Sequence, residues 1–271
     1  MYSDASLNKL SLVFFDVETT GLHPYKGDTI CELGAVKFTA QGQQETYSQL
    51  LNPKQPIPEF VSNIHNIFDQ DVKDAPFFEE AADKFLEFIS NSIVCGYNVE
   101  FDLGFLNTEL DKIHYPVLRL PSLDVLRMAR KTYPDLPRYN LGEVARTLEF
   151  KTDVLHRAYE DALLTSKIFF HAADVLKQRG ISKRSHLLTL YGVQNEFFEK
   201  LQEPKEALIR ESIEAEVDLR LTCLAKDKLR SFVVKPRELV KQKQPYLLAV
   251  DIKSKQEISL PLHWLLNIEI F

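Results

Sequence analysis

The chain is poor in cysteine: Cys31, Cys95 and Cys223 are the only three in 271 residues, and no two form a CxxC pair. That argues against a disulfide framework, a zinc ribbon or a thioredoxin-like site and suits a reducing compartment, so a cytoplasmic location is expected. No run of 18 apolar residues occurs, and the opening MYSDASLNKL has no charged-then-apolar leader. Membrane spanning and secretion are therefore not expected. Internal repeats and low-complexity stretches are also missing. Basic charge is not in excess: the net charge is -6, which disfavours a non-specific nucleic-acid binder.

What is present is ordinary globular usage, 45% hydrophobic and 27% charged, in a chain long enough for one large domain or two modest ones. The charge is unevenly spread. Residues 172–271 hold 17 Lys and Arg against 14 Asp and Glu, whereas residues 1–171 hold 16 against 25. An acidic front joined to a mildly basic back suggests two modules with different tasks.

In the front, residues 11–16 (SLVFFD) read as a buried strand, residues 29–38 and 45–51 as two more, and residues 93–97 (IVCGY) as a fourth. Residues 52–58 carry three prolines and must be loop. Apolar stripes at helical spacing predict helices over 77–90, 101–113, 124–133, 141–148 and 158–178, with Asp124 as a helix cap. Strands in hairpin order, then strands alternating with helices, give a mixed α/β sheet. Residues 180–203 read as short helices or a linker, and 206–216 as a short helix. Beyond these the period changes to two, with strands at 231–235, 246–252, 257–260 and 267–271, which suggests a small barrel-like module.

Three groups of residues carry chemistry. Asp16 and Glu18 end the first strand and, two residues apart, point to the same face. Two carboxylates so close repel, and a divalent cation relieves them; the alternative is a solvated strand end. Asp102 opens the helix after the fourth strand, where it serves either a site or only the helix dipole. His156 and Asp161 are five residues apart, which on one regular helix leaves them roughly 140° apart. They share a site only if the helix begins after His156; otherwise both are surface residues.

Taken together, FFDVETTGL, GYNVEFDLGFL and HRAYEDA resemble the three motifs of the DEDDh exonuclease superfamily, with ICELGAVKF and LDVLRMARKTYP similar to its second strand and mid-domain helix. The resemblance spans about residues 9–175 and implies a ribonuclease H-like fold, a mixed sheet with flanking helices. It implies two Mg2+ or Mn2+ ions held by Asp16, Glu18, Asp102 and Asp161, with His156 as general base; an ordinary imidazole, with a pKa of about 6.5, suits that task near neutral pH. It also implies that the turn Thr19, Thr20, Gly21 and Leu22 packs against the terminal nucleoside and that Asn98 lies near the site. The implied reaction is hydrolysis at a 3' end, DNA favoured, releasing a 5'-monophosphate; the implied partners are single-stranded 3' ends and a polymerase or second copy of the chain. His65 lies in NIHNIFDQDV, where Asn66 replaces the family's glycine, so no substrate role is expected of it.

Residues 206–271 resemble a WYL domain, through LIRESIEAEVDLRLTCL, SFVVKPREL and PYLLAVDI, following a helical linker at 176–205. This implies a small C-terminal SH3/Sm-like β-barrel that binds or senses nucleic acid. Gln256 and His263 stand where that family usually has arginines. Residues 226–255 nonetheless hold nine basic residues against three acidic. Arg230, Lys235, Arg237 and Tyr246 are the expected contacts, a basic surface with an aromatic platform; the alternative is a lysine-rich edge that discourages aggregation. The rival to the whole reading is a nucleic-acid-responsive regulatory or scaffold protein whose front domain only docks.

Overall fold

A computed structural model describes residues 7–118, 120–151, 156–193, 195–225, 228–241 and 245–271, leaving aside the side chains of 195–204, 224, 225, 228, 229 and 263. The chain forms two compact units, one of Asn8–Ala172 and one built on Ala173–Phe271.

The first unit grows from its apolar opening strand, β1 (Ser11–Thr19). A nearly continuous apolar run is what a strand covered on both faces requires. β2 (Ile30–Phe38) lies antiparallel to β1, and β3 (Gln44–Leu50) antiparallel to β2. The turn between β2 and β3 uses Gly42 at a φ of 84°, a conformation that costs glycine little. Three helices follow, α1 (Glu59–His65), α2 (Asp69–Val72) and α3 (Phe78–Ile89). β4 (Ser92–Gly96) then pairs parallel to β1, α4 (Val99–Lys112) crosses over, and β5 (Ser122–Asp124) pairs parallel to β4. α5 (Val125–Thr132), α6 (Leu141–Thr147) and α7 (Ala158–Gln178) as far as Ala172 complete the unit. The five-stranded mixed sheet has the order β3-β2-β1-β4-β5.

Alternation along β1 decides what each face holds. Phe15 packs on Phe85 of α3, ring centroids 6.1 Å apart, while Phe14 packs on Phe169 and Phe170 of α7 at 5.2 and 5.8 Å. The two helices therefore cover opposite faces of the sheet. Asp16 and Glu18 continue the face of Phe14, toward the start of α7. β1 runs through Thr19, three residues past the expected end, because β2 keeps pairing with it as far as a register shift between Glu18 and Thr19.

In the second unit α8 (Arg184–Tyr191) and α9 (Asn195–Glu214) precede five antiparallel strands, β6 (Leu219–Ala225), β7 (Lys228–Val240), β8 (Tyr246–Asp251), β9 (Glu257–Pro261) and β10 (Leu265–Ile270). Their order is β10-β6-β7-β8-β9. β7 pairs with β6 through its first half and with β8 through its second, and its register shifts between Pro236 and Glu238. Leu219, Leu221, Cys223, Val234, Leu239 and Leu247 form the core, joined by Ile209 of α9. Where a closed barrel is expected, the described strands form an open sheet with β9 and β10 at its edges. The segment read as short helices or a linker holds α8 and the start of α9, and the expected short helix at 206–216 is the end of α9. α8 escapes a reading by periodicity because His186, Leu187, Leu188, Thr189 and Tyr191 are all buried, leaving no single apolar stripe. Among the described residues no helix is long and apolar enough to cross a membrane.

Two glycines test the packing. A Cβ on Gly34 of β2 would meet backbone atoms of Ala158 and Tyr159 at 2.1 Å, while one on Gly104 of α4 meets nothing within 4 Å. Gly34→Ala should destabilise the protein by about 1–3 kcal/mol through overpacking against backbone. Gly104→Ala should stabilise it by up to about 1 kcal/mol by removing glycine from a helix interior. Thermal melts of the two variants check both signs; equal effects would contradict the packing of α7 on β2.

Candidate active site

Asp16 pairs with Gly34 across the β1–β2 ladder, and Glu18 with Glu32. Gly34 offers no side chain, so the first turn of α7 comes down directly onto the sheet there and brings Asp161 with it. One oxygen each of Asp16, Glu18 and Asp161 lie within 4.8 Å of one another. Asp102 reaches in from α4 and accepts the Val17 N–H on its Oδ1 at 3.2 Å. It is buried beside β1 and repels Asp16 more strongly than any other charged neighbour.

The entry to α4 is set by Asp124, which caps α5 by accepting the Leu126 and Arg127 N–H groups at 2.8 and 3.2 Å and also accepts the Asn98 N–H at 3.3 Å. Asn98 is exposed, with a φ of 69°. Asp124 is thus the helix cap that its position suggests, and it ties the mouth of α4 to the neighbouring helix as well.

His156 stands two residues before α7, off the helix, exposed and at a φ of 62°. Its N–H donates to Asp161 Oδ2 at 3.2 Å. The next residue, Arg157, grips Glu32: Nη2 donates to Oε1 at 2.6 Å and Nε to Oε2 at 3.1 Å, while the Ala158 N–H donates to the same Oε2 at 3.0 Å. Glu32 does not stand out in the motifs. A charged residue inside an apolar strand, opposite Glu18 in a hairpin, was the signal for it.

Burial is the main influence on these carboxyls and mutual repulsion the next; both resist ionisation. Asp16 is raised well above the ordinary carboxyl range by burial, then by Asp102, Glu18 and Asp161. Burial followed by Asp161 pushes Glu18 up to about 8. Asp161 rises to about 6, burial outweighing its bond from the His156 N–H. Asp102 is also raised by burial, against the bond from Val17. Asp161 Oδ1 is buried with no hydrogen-bond partner. Clustered hard oxygen donors, one of them orphaned, and charge that resists forming are what a divalent cation would satisfy, so Asp16, Glu18 and Asp161 fit such a group, with Asp102 buried close by.

The turn after β1 splits into two roles. Thr19 Oγ1 donates to the Gly21 carbonyl at 2.6 Å, and Thr20 Oγ1 accepts from the Thr29 N–H and Gln55 Nε2, both at 3.0 Å. Both threonines are buried and hold the turn itself. A Cβ on Gly21 would overlap the Asp28 carboxylate, which takes the His23 N–H at 2.8 Å. Leu22, 71% exposed, is the apolar side chain the turn presents outward. His65 is buried, its Nδ1 accepting the Ile67 N–H at 3.0 Å, and burial lowers its pKa.

In the second unit, ladder parity separates the four expected contacts. Lys235 and Tyr246 lie on the sheet face away from the Leu219, Leu221 and Val234 core, opposite Val250 and Val240. Arg230 pairs with Cys223 and shares the parity of the core face, and Arg237 sits at the register shift. Lys226 and Lys243 lie outside the described residues, as do the side chains of Lys228 and His263.

Comparison with known proteins agrees with this arrangement. The model of the exonuclease family matches residues 13–169. A DNA polymerase III PolC-type of Caldanaerobacter subterraneus is 37% identical over 68% of this chain, and the 3'-5' exonuclease DinG of Bacillus subtilis 33% over 64%. The chain spans only 13% and 18% of those two proteins. The DNA polymerase III subunit epsilon of Aquifex aeolicus is 36% identical over 61% of this chain and 82% of its own length. In fold, E. coli exonuclease I in complex with a dA16 oligonucleotide aligns with a TM-score of 0.56 at 17% identity, over 89% of this chain and 55% of that one. The nuclease domain of 3'hExo, a DEDDh family member bound to rAMP, aligns at 0.54 and 15% identity, over 64% of this chain and 94% of that one. The first unit thus has the ribonuclease H-like exonuclease fold.

The carboxyl shifts set a pH dependence. Raised pKa values mean that the folded chain keeps protons that the unfolded chain releases from about pH 4 upward. The cluster's contribution to stability is therefore complete below that pH and is lost as pH rises through the folded values of about 6 for Asp161 and about 8 for Glu18. In chelator, the melting temperature should fall between pH 5 and pH 8; Mg2+ or Mn2+ should restore it at pH 8 and do little at pH 5. Glu18→Gln should raise the chelated melting temperature at pH 8, by about 2–4 °C for each kcal/mol of repulsion relieved. A melting temperature indifferent to cation at pH 8 would contradict the site.

Proposed function

Because the chain belongs to the exonuclease family, we propose that it is a metal-dependent 3'-5' exonuclease that removes 3'-terminal nucleotides from nucleic acid as 5'-monophosphates. The observation that carries the reading is the convergence of Asp16, Glu18 and Asp161 on one position, with Asp102 and His156 alongside. In this reading the four carboxylates hold two divalent cations, Mg2+ or Mn2+, which supply positive charge and Lewis acidity to the phosphodiester.

The chain's own residues then do the rest. His156 takes a proton from the attacking water. The water oxygen bonds to phosphorus as the bond to the 3' oxygen of the penultimate nucleotide breaks, and that oxygen takes a proton from solvent. Leu22 packs against the terminal nucleoside, with Thr19, Thr20 and Gly21 shaping the turn that carries it, and Asn98 lines the mouth. Single-stranded 3' ends are the favoured form of substrate, by analogy with exonuclease I in complex with a dA16 oligonucleotide. DNA is the favoured substrate and a polymerase the favoured partner, on the names of the PolC-type and epsilon relatives; a second copy of the chain is the other partner, and the cytoplasm the place of action. The scaffold reading would leave the complete acid set without a task.

The second unit is read as a WYL-like, SH3/Sm-like module. Support comes from the long β7, shared by both halves of the sheet with a register shift between Pro236 and Glu238, and from a 3-10 turn, Leu262–Trp264, before the last strand. Lys235 and Tyr246, sharing one outer face, are the contacts in this module that best fit a nucleic-acid backbone and base.

End-labelled single-stranded DNA and RNA oligomers with Mg2+ or Mn2+ test the function. The expected result is shortening from the 3' end, more than about 99% lost in Asp16→Ala because a cation ligand is missing. Full activity of Asp16→Ala, with contaminating nuclease excluded, would refute it. The paired change Lys235→Ala and Tyr246→Ala should weaken single-strand binding by about 1–3 kcal/mol, mostly the lost stacking, and flatten its salt dependence. Unchanged binding would remove the second unit from the interface.

A further inference from the structure

We propose that Glu32 is a positioning residue for the hydrolytic site: by holding Arg157 and the Ala158 N–H it fixes the segment that carries His156 and Asp161. The proposal rests on the exonuclease reading and adds to it a residue outside the acid set and the base.

The geometry is a closed loop of bonds. Glu32 is buried at 1% exposure, and its two oxygens accept three hydrogen bonds, all from Arg157 and Ala158, some 125 residues away in sequence. The Arg157 carbonyl in turn accepts the Asp161 N–H at 2.9 Å, and Asp161 Oδ2 accepts the His156 N–H at 3.2 Å. Asp161 is therefore held from both sides. One carboxylate oxygen is committed to His156, the other, Oδ1, has no hydrogen-bond partner, and the carboxylate lies within reach of Asp16 and Glu18. The grip matters because His156 sits at a left-handed φ of 62°, which a non-glycine residue keeps only when its surroundings impose it. Gly34, two residues along the same face as Glu32, lets the Ala158 backbone come close enough for its N–H to reach Glu32.

A plain structural ion pair would have no reason to sit here. Glu32 lies directly opposite Glu18 in the ladder, so as an unpaired carboxylate it would add a further negative charge to an already crowded cluster. The Arg157 guanidinium removes that charge and uses the same contact to seat the helix start. A bidentate fork gives such a contact direction as well as charge.

The experiment compares Glu32→Gln, Arg157→Lys and the double variant, each in the full chain. Glu32→Gln should lower kcat on a single-stranded oligonucleotide by about 10–100-fold, the loss usual for a residue that orients ligands, and should weaken Mn2+ binding by about 10-fold in calorimetry. KM for the oligonucleotide should change by less than about threefold, because the substrate contacts are untouched. The double variant should be no worse than the worse single one, since the two residues act as a unit. In chelated protein, amide hydrogen exchange should rise over residues 156–165 and stay unchanged in β1. Arg157→Lys, which keeps the charge but loses the fork, carries the test alone if Glu32→Gln does not fold. Unchanged kcat and exchange, or losses that add in the double variant, overturn the proposal. An inactive wild type would instead end the exonuclease reading, while exchange and Mn2+ binding still decide whether Glu32 positions Asp161.

Discussion

Like charges held together, half-buried at Asp16 and Glu18 and buried at Asp102 and Asp161, are the constraint around which the first unit is built. Asp16, Glu18 and Asp161 converge within one small space, with Asp102 beside them, and burial makes each charge costly. A fold accepts such an arrangement only where something outside the chain completes it. The sheet supplies the geometry: adjacent same-face positions on β1 give two of the groups, the parallel crossover from β4 to α4 gives the third, and the bare backbone of Gly34 lets α7 bring the fourth. The aromatic clusters on both faces of β1 lock these elements in place, so the hydrophobic core sustains the electrostatic cost of the site.

Around this centre the other polar groups are paired. Glu32 is neutralised by Arg157, Asp124 by helix N–H groups and Arg127, and Thr19 and Thr20 by their own turn. The contrast gives the free Asp161 oxygen its meaning: buried polar atoms usually find partners, and an orphan on a residue clustered with two other carboxylates fits the proposed cation. The second unit has a different character, an antiparallel sheet over its own core whose outer face mixes Arg220, Lys235 and Tyr246 with apolar Val240 and Val250.

Much of the centre was legible because its rules are local. Two residues apart on a strand means one face, so Asp16 and Glu18 could be paired on sight. Five residues apart on a helix means divergence, so a shared site for His156 and Asp161 required a helix beginning after His156, and α7 begins at Ala158. What escaped was nonlocal or too short. Glu32 shows its partner only once β2 is registered against β1 and α7 is seated on Gly34. β5 has three residues, too few for a period. α8 is buried nearly all round and shows no stripe. Alternation placed strands in the second unit, but alternation says nothing of whether a sheet closes, and a barrel was expected where the described strands leave two edges.

The central claim is that these carboxyls hold protons which a divalent cation displaces. Calorimetric titration of Mg2+ or Mn2+ at pH 7, repeated in buffers of different ionisation enthalpy, counts those protons directly. The account predicts saturable binding with release of about one proton or more per chain, given Glu18 near 8 and Asp161 near 6, and loss of that release in Glu18→Gln. Binding with no proton release, or no binding at all, would contradict it.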